Sequence, residues 1–216
     1  MSKSLYSLIL SDEVISRIDR MAVRENTNRS ALVNQILAEY CSLVTPEKRI
    51  ESVFDSVERL FGADSELAAF TTPNQPTMFF KTSLEYRYRP TVRYDLRLYP
   101  QIGDDGALGE LTVTFRTQSA ELLDRIDQFF RLWIASETES APDDPPQYAL
   151  APGRMTRAIR QKNGTDGELT AEELAEAISD YIRLLDTDMK AFIAGKITPD
   201  SVEYDCRKRM RDGDIV

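Results

Sequence analysis

Residues 3–44, KSLYSLILSDEVISRIDRMAVRENTNRSALVNQILAEYCSLV, carry more apolar surface than so short a segment can cover by itself. The run Tyr6-Ser7-Leu8-Ile9-Leu10 alternates. As a strand it puts Tyr6, Leu8 and Leu10 on one face and Leu5, Ser7 and Ile9 on the other. Ser11 is a good N-cap, and Asp12 and Glu13 suit the positive end of a helix dipole. Val14, Ile18, Met21 and Ala22 recur at helical spacing with Ile15 beside them, while Arg17, Arg20 and Arg24 fall on the polar side. Asn26 tolerates left-handed backbone and is expected to end this helix. Asn28-Arg29-Ser30 opens a second helix with the stripe Leu32, Val33, Ile36, Leu37 and Tyr40. A single strand cannot satisfy its own backbone groups or shield its apolar face. A second copy of the chain is therefore expected, with Tyr6, Leu8, Leu10, Ile18, Leu32, Val33 and Ile36 in a shared core.

The order of one alternating strand, a Leu-Ser-Asp-Glu start to the first helix and an Asn-Arg-Ser start to the second resembles the ribbon-helix-helix DNA-binding family, which includes the Arc and methionine repressors. The resemblance covers about residues 3–44 only. It implies a homodimer in which two strands form an antiparallel ribbon with four helices behind it. The ribbon would enter the major groove of double-stranded DNA with Leu5, Ser7 and Ile9 outward. Backbone N–H groups near Asn28, Arg29 and Ser30 would clamp a phosphate, with Arg29 adding charge. The function implied is a sequence-specific transcriptional regulator of prokaryotic type, such as a repressor. Two features depart from the family's habit. Leu5 and Ile9 can read thymine methyl groups but offer no bidentate base contact. The segment 1–45 is also neutral, with Lys3, Arg17, Arg20, Arg24 and Arg29 balanced by Asp12, Glu13, Asp19, Glu25 and Glu39. These features favour a second reading, in which the module only dimerises and the protein is a structural or protein-binding accessory of plasmid-transfer or partition type.

Composition narrows the chemistry. The 216 residues carry a formal net charge of −9 and no histidine. Loose coating of nucleic acid or anionic membrane is disfavoured. Histidine-dependent hydrolysis and histidine-based metal sensing are excluded, so the metal site of nickel-responsive ribbon-helix-helix repressors does not carry over. There is no glycine-rich phosphate loop, metal-ligand cluster or nucleophile–base pair, so neither enzyme activity nor a cofactor is expected. Cys41 and Cys206 form no CxxC pair and read as reduced thiols of a cytoplasmic protein. No span reaches transmembrane length.

The fold class expected is α+β: an N-terminal ribbon-helix-helix module (1–45), a middle domain (46–140) with a three-stranded antiparallel sheet covered by helices, a linker rich in proline and acids (141–152), and a helical C-terminal region (153–216). Thr45-Pro46 begins a helix with the stripe Ile50, Val53, Phe54, Val57, Leu60 and Phe61, stopped by Gly62. Residues 71–76 read as a loop and 77–117 as strands, with Leu84, Tyr86 and Tyr88 alternating in one of them. Lys81, Arg87, Arg89, Arg93, Arg97 and Arg116, with Glu85, Asp95 and Glu110, would form the solvated sheet face. That face reads first as cross-strand arginine–acid pairs and second as a platform for an anionic partner. Ser119 or the residue before it starts the helix bearing Leu122, Leu123, Ile126, Phe129, Phe130, Trp133 and Ile134.

Arg154, Arg157, Arg160 and Lys162, at spacings of three and two, suggest one face of a short helix. Residues 162–173 half-resemble a calcium loop, but Lys162 and Gly164 stand where oxygen ligands are needed. The segment reads instead as a turn running into a capping box, Thr170-x-x-Glu173. Leu174, Ile178, Tyr181, Leu185, Met189 and Phe192 form a helical seam for another helix or a protein partner. A final helix from Pro199 ends in the basic cluster Arg207, Lys208, Arg209 and Arg211, read as a solubilising tail.

Overall fold

The computed structural model describes residues 5–41, 43–62, 66–71, 76–87, 89–103, 105–162 and 168–212, without the side chains of Met210 and Asp212. The chain is mixed α+β, with six helices and one six-stranded antiparallel sheet among those residues. The helices are α1 (Asp12–Arg24), α2 (Arg29–Tyr40), α3 (Pro46–Phe61), α4 (Ala120–Ser140), α5 (Ala171–Ile193) and α6 (Pro199–Asp212). The strands are β1 (Ala68–Thr71), β2 (Thr77–Ser83), β3 (Thr91–Leu98), β4 (Ala107–Arg116), β5 (Tyr148–Ala151) and β6 (Arg154–Arg160), in the spatial order β1-β2-β3-β4-β6-β5.

The helices start where side-chain oxygens can take over an orphan N–H. Ser11, Asn28, Thr45, Ser119 and Thr170 each accept a bond from the first turn of the helix that follows. The capping box at Thr170 and Glu173 forms in both directions. Of the calcium-like loop before it, residues 163–167 lie outside the described residues.

Period-two alternation gives the sheet two unlike faces. Met78, Phe80, Val92, Tyr94, Leu96, Leu111, Val113, Met155 and Ile159 point inward and are buried. Their cover is α3, α4 and α5. Phe80 meets Phe61 of α3 and Phe115 meets Phe130 of α4, while the Tyr94 hydroxyl donates to Asp186 of α5 at 2.8 Å. Helix α6 packs on α4 and α5. One continuous core runs from Ile50 in α3 to Cys206 in α6. The seam of α5 is buried in it from Leu174 to Met189, against α3 and α4 rather than in a detached helical region.

The sheet is twice as wide as the three strands expected, and the extra strands fall in three places. Thr71, expected to open a loop, instead ends β1, an edge strand of four residues. The stretch 141–152, read as a linker, contains β5. The basic segment from Arg154 is β6, not a helix. Arginines three apart imitate a helix face, but Met155, Arg157 and Ile159 alternate and all three turn inward. The hairpin between β5 and β6 turns at Pro152-Gly153, and Gly153 takes φ +64°, which favours glycine. A Cβ there would also sit 2.8 Å from Leu123 Cδ2.

Leu84 and Tyr86 belong to the turn between β2 and β3, closed by the bond from Leu84 N–H to the Pro90 carbonyl at 3.0 Å; Tyr88 lies outside the described residues. Arg87 and Arg89 lie in that turn and leave the sheet face to other cations.

An ionic cluster sits inside the core. Glu137 of α4 and Arg157 of β6 are both 0% exposed, and Arg157 Nε donates to Glu137 Oε2 at 2.8 Å. The Tyr148 hydroxyl donates to the same oxygen. Arg209 of α6 stands 3.5 Å from Glu137 Oε1 and, like Arg157, stacks on the ring of Tyr181. The expected basic tail is thus partly packed on the body: the Arg209 side chain, only 11% exposed, reaches the ionic cluster, and Arg207 pairs with Glu139 and Glu203. Burial works most strongly against the Arg157 charge, but Glu137, with Tyr181 and Cys206 adding to it, together outweigh that effect and leave the guanidinium harder to deprotonate than usual.

A second buried carboxyl lacks such a partner. Asp188 of α5 is 5% exposed, and its Oδ2 accepts no hydrogen bond from any described residue. Burial, and after it the charge of Asp205 on α6, pushes its pKa up to about 6 from 3.8. A carboxyl raised on folding contributes stability that is complete below its unfolded pKa and lost as pH rises through the folded one. Asp188→Asn should therefore match the parent near pH 3.8 and exceed it above pH 6. The expected gain is about 1–2 kcal/mol. Urea midpoints at the two ends of that window test it; equal midpoints at both would refute it.

Candidate nucleic-acid interface

None of the described residues between 5 and 44 belongs to the core just described. Residues 5–10 adopt no regular secondary structure, and each is exposed. The strand expected at Tyr6–Leu10 is not formed in the single chain, which has no neighbour there to pair with it. Leu5 and Ile9 are fully exposed, and Ser7 is exposed between them.

Helix α1 ends on Glu25, and Asn26 turns the chain with φ +50°, the left-handed geometry its side chain tolerates. Asn28 then caps α2 by accepting the Ala31 N–H at 2.9 Å. Leu32 N–H bonds to the Asn28 carbonyl at 3.0 Å. An α-helix makes no internal bond from its first N–H groups, and that leaves Arg29 and Ser30 as the outward-pointing pair at this end.

The Arg29 side chain is committed elsewhere. Its Nε and Nη2 donate to the two carboxylate oxygens of Asp19 at 2.7 and 2.6 Å, a fork that clips α2 to α1. That hydrogen bond holds the Asp19 carboxyl below the usual range. Sequence reasoning placed Arg29 at the phosphate and missed its partner. The ten-residue spacing across a turn is no i,i+4 signal, and only the helix hairpin brings the two together.

Apolar cover is sparse here. Ala22 and Leu32 alone are buried in the two helices. Of the residues assigned to a shared core, Ile18 and Val33 are half-buried, while Tyr6, Leu8, Leu10 and Ile36 are exposed. Leu37, Tyr40, Leu43 and Val44 extend that uncovered surface. A Lys48–Glu39 ion pair joins α2 to α3 across the connecting turn.

The body offers two further concavities. One, of about 710 Å³, is lined by Glu85, Tyr86, Arg87, Arg89 and Glu121. The other, of about 740 Å³, lies between the start of α3 and the β3–β4 loop, with Val44, Ile50, Leu98, Ile102 and Leu108 in its wall. Neither gathers a nucleophile with a base. Among the described residues no group of three or more metal-ligating side chains comes together, and no helix is long and apolar enough to cross a membrane. No family model, curated protein or solved structure matches this chain.

Proposed function

We propose that residues 5–44 are a ribbon-helix-helix head that dimerises and docks on double-stranded DNA, and that the protein is a non-enzymatic transcriptional regulator of prokaryotic type acting in the cytoplasm. The observation that carries this reading is the exposure of Tyr6, Leu8 and Leu10, and of Ile36 in α2, beside a pair of helices whose only buried side chains are Ala22 and Leu32. A second copy would pair its residues 5–10 with the first, satisfy both backbones and close one core over both hairpins. Leu5, Ser7 and Ile9 would then face the groove. The Arg29 and Ser30 N–H groups at the positive end of α2 would meet a phosphate.

One observation favours the accessory reading instead. Asp19 occupies the Arg29 guanidinium and places a carboxylate beside the proposed clamp. The two readings diverge on Asp19→Ala. If the head docks on DNA, freeing Arg29 and removing the acid should tighten binding to pooled genomic duplex fragments. Arg29→Ala with Ser7→Ala should weaken it by about tenfold, and retention should fall steeply with salt. No retention at low salt, or retention indifferent to all three substitutions, leaves the accessory reading.

A further inference from the structure

The sheet face turned away from the helices has its own pattern. Across the strands, the pairing aligns Phe70, Phe79, Asp95, Thr112 and Thr156 in one row, and Ala68, Lys81, Arg93, Thr114 and Arg154 in the next. Between the charged residues the face carries the half-buried Thr114, Thr156 and Ala158, with Thr112 buried among them. Phe70 and Phe79 stack at 5.1 Å with 15° between their planes. The Arg93 guanidinium lies 4.4 Å from the Phe79 ring, and Lys81 Nζ lies 5.3 and 5.8 Å from the two rings. The stack ends at the sheet edge on Phe70, which is 46% exposed.

Charge separates this face from the rest of the molecule. On its strands six cations, Lys81, Arg93, Arg97, Arg116, Arg154 and Arg160, accompany two acids, Asp95 and Glu110. The whole chain is at −9. Arg93 and Arg97 are paired with the two acids, and Arg160 is paired with Asp144 from a loop. Among the described residues no carboxylate neutralises Lys81, Arg116 or Arg154, and all three are exposed.

We propose that this face binds single-stranded nucleic acid, with an unpaired base stacked on Phe70 and the phosphates running over Lys81, Arg154 and Arg116. A base needs an accessible π-face and its backbone needs cations, and the face supplies both. Duplex DNA fits it poorly. Its bases are stacked on one another, and a sheet of six strands at about 4.8 Å spacing is too wide for a groove of about 12 Å. An acidic peptide would use the cations and leave the aromatic stack idle. The site is separate from the N-terminal head and stands without it.

The test uses the full chain carrying Arg29→Ala and Ser7→Ala, so that any contribution of the head is suppressed. Fluorescence anisotropy reads binding of a labelled 20-nucleotide oligothymidylate, with its duplex and polyglutamate as competitors. The expected result is salt-sensitive binding of the single strand that neither competitor displaces at equal charge. Phe70→Ala should weaken it by about tenfold. Lys81→Glu with Arg154→Glu should weaken it further and lower the salt slope by about 0.7 for each phosphate no longer neutralised. These three side chains are exposed, and an unchanged thermal midpoint checks that each variant is folded. Absence of binding at low salt overturns the proposal. So does affinity indifferent to Phe70→Ala, and so does displacement by polyglutamate at equal charge, which would mark a site for an acidic protein.

Discussion

Replacing Glu137 with alanine should destabilise the protein by about 3–5 kcal/mol. The carboxylate is wholly buried and faces two guanidinium groups, Arg157 at 2.8 Å and Arg209 at 3.5 Å. Without it, two cations stay in a core lined by Tyr181, Trp133 and Cys206, deprived of the carboxylate that balances them. Burial already lowers the pKa of Arg209, with the like charge of Arg157 next in effect. A loss of this size takes a large share of the roughly 5–15 kcal/mol typical of whole domains. Glu137→Ala combined with Arg157→Met should recover part of it, because an apolar replacement of a buried pair is often nearly neutral. Urea denaturation of the single and double variants measures both effects. A single variant within about 0.5 kcal/mol of the parent would show that the cluster does not hold β6 and α6 to α4.

Leu8→Lys should turn the proposed dimer into a monomer. In the proposed ribbon, Leu8 sits between Tyr6 and Leu10 on the face that the second copy covers. An ammonium there loses its hydration and gains no counter-charge. Losing a leucine's burial costs about 2–5 kcal/mol by itself. A dissociation constant raised by a factor of at least about a thousand follows. Sedimentation equilibrium reads the mass, and Trp133 reports on the body. This only tryptophan is fully buried between α4 and α5, where its Nε1 donates to the Tyr181 hydroxyl at 3.0 Å. The expected outcome is a monomer with Trp133 emission unchanged. A folded dimer of the variant would refute the facing assigned to residues 6–10.

The helices were legible because their signals are local. Ser11, Asn28, Thr45, Ser119 and Thr170 each occupy the cap that their sequence context suggested, and the stripes of α3, α4 and α5 are the buried faces. Strand β6 was illegible because its central inward residue is an arginine. Arg157 reads as solvent-facing until Glu137, twenty positions earlier, is brought against it. The Pro152-Gly153 pair was the available signal for the β5–β6 hairpin. Strand β1 is too short to show a period, so the Phe70–Phe79 stack on the open face was not foreseen. In the head, the helices are as expected and Leu32 is already buried between them, whereas Tyr6, Leu8, Leu10 and Ile36, meant to pair or to join a shared core, are exposed in one chain.

The sheet's two edges carry a consequence for solubility. An exposed edge strand invites another chain to add to it, and short strands flanked by proline discourage this. Edge strands β1 and β5 have four residues each, and β5 is bracketed by Pro145, Pro146 and Pro152. Amyloid-like growth through the body is thereby obstructed at both ends, since little free backbone is left to extend. Residues 5–10 lack that protection: six consecutive exposed positions with neither proline nor charge. In the proposed dimer, strand addition at residues 5–10 would end after a single pairing with the matching strand of a second copy, rather than propagate.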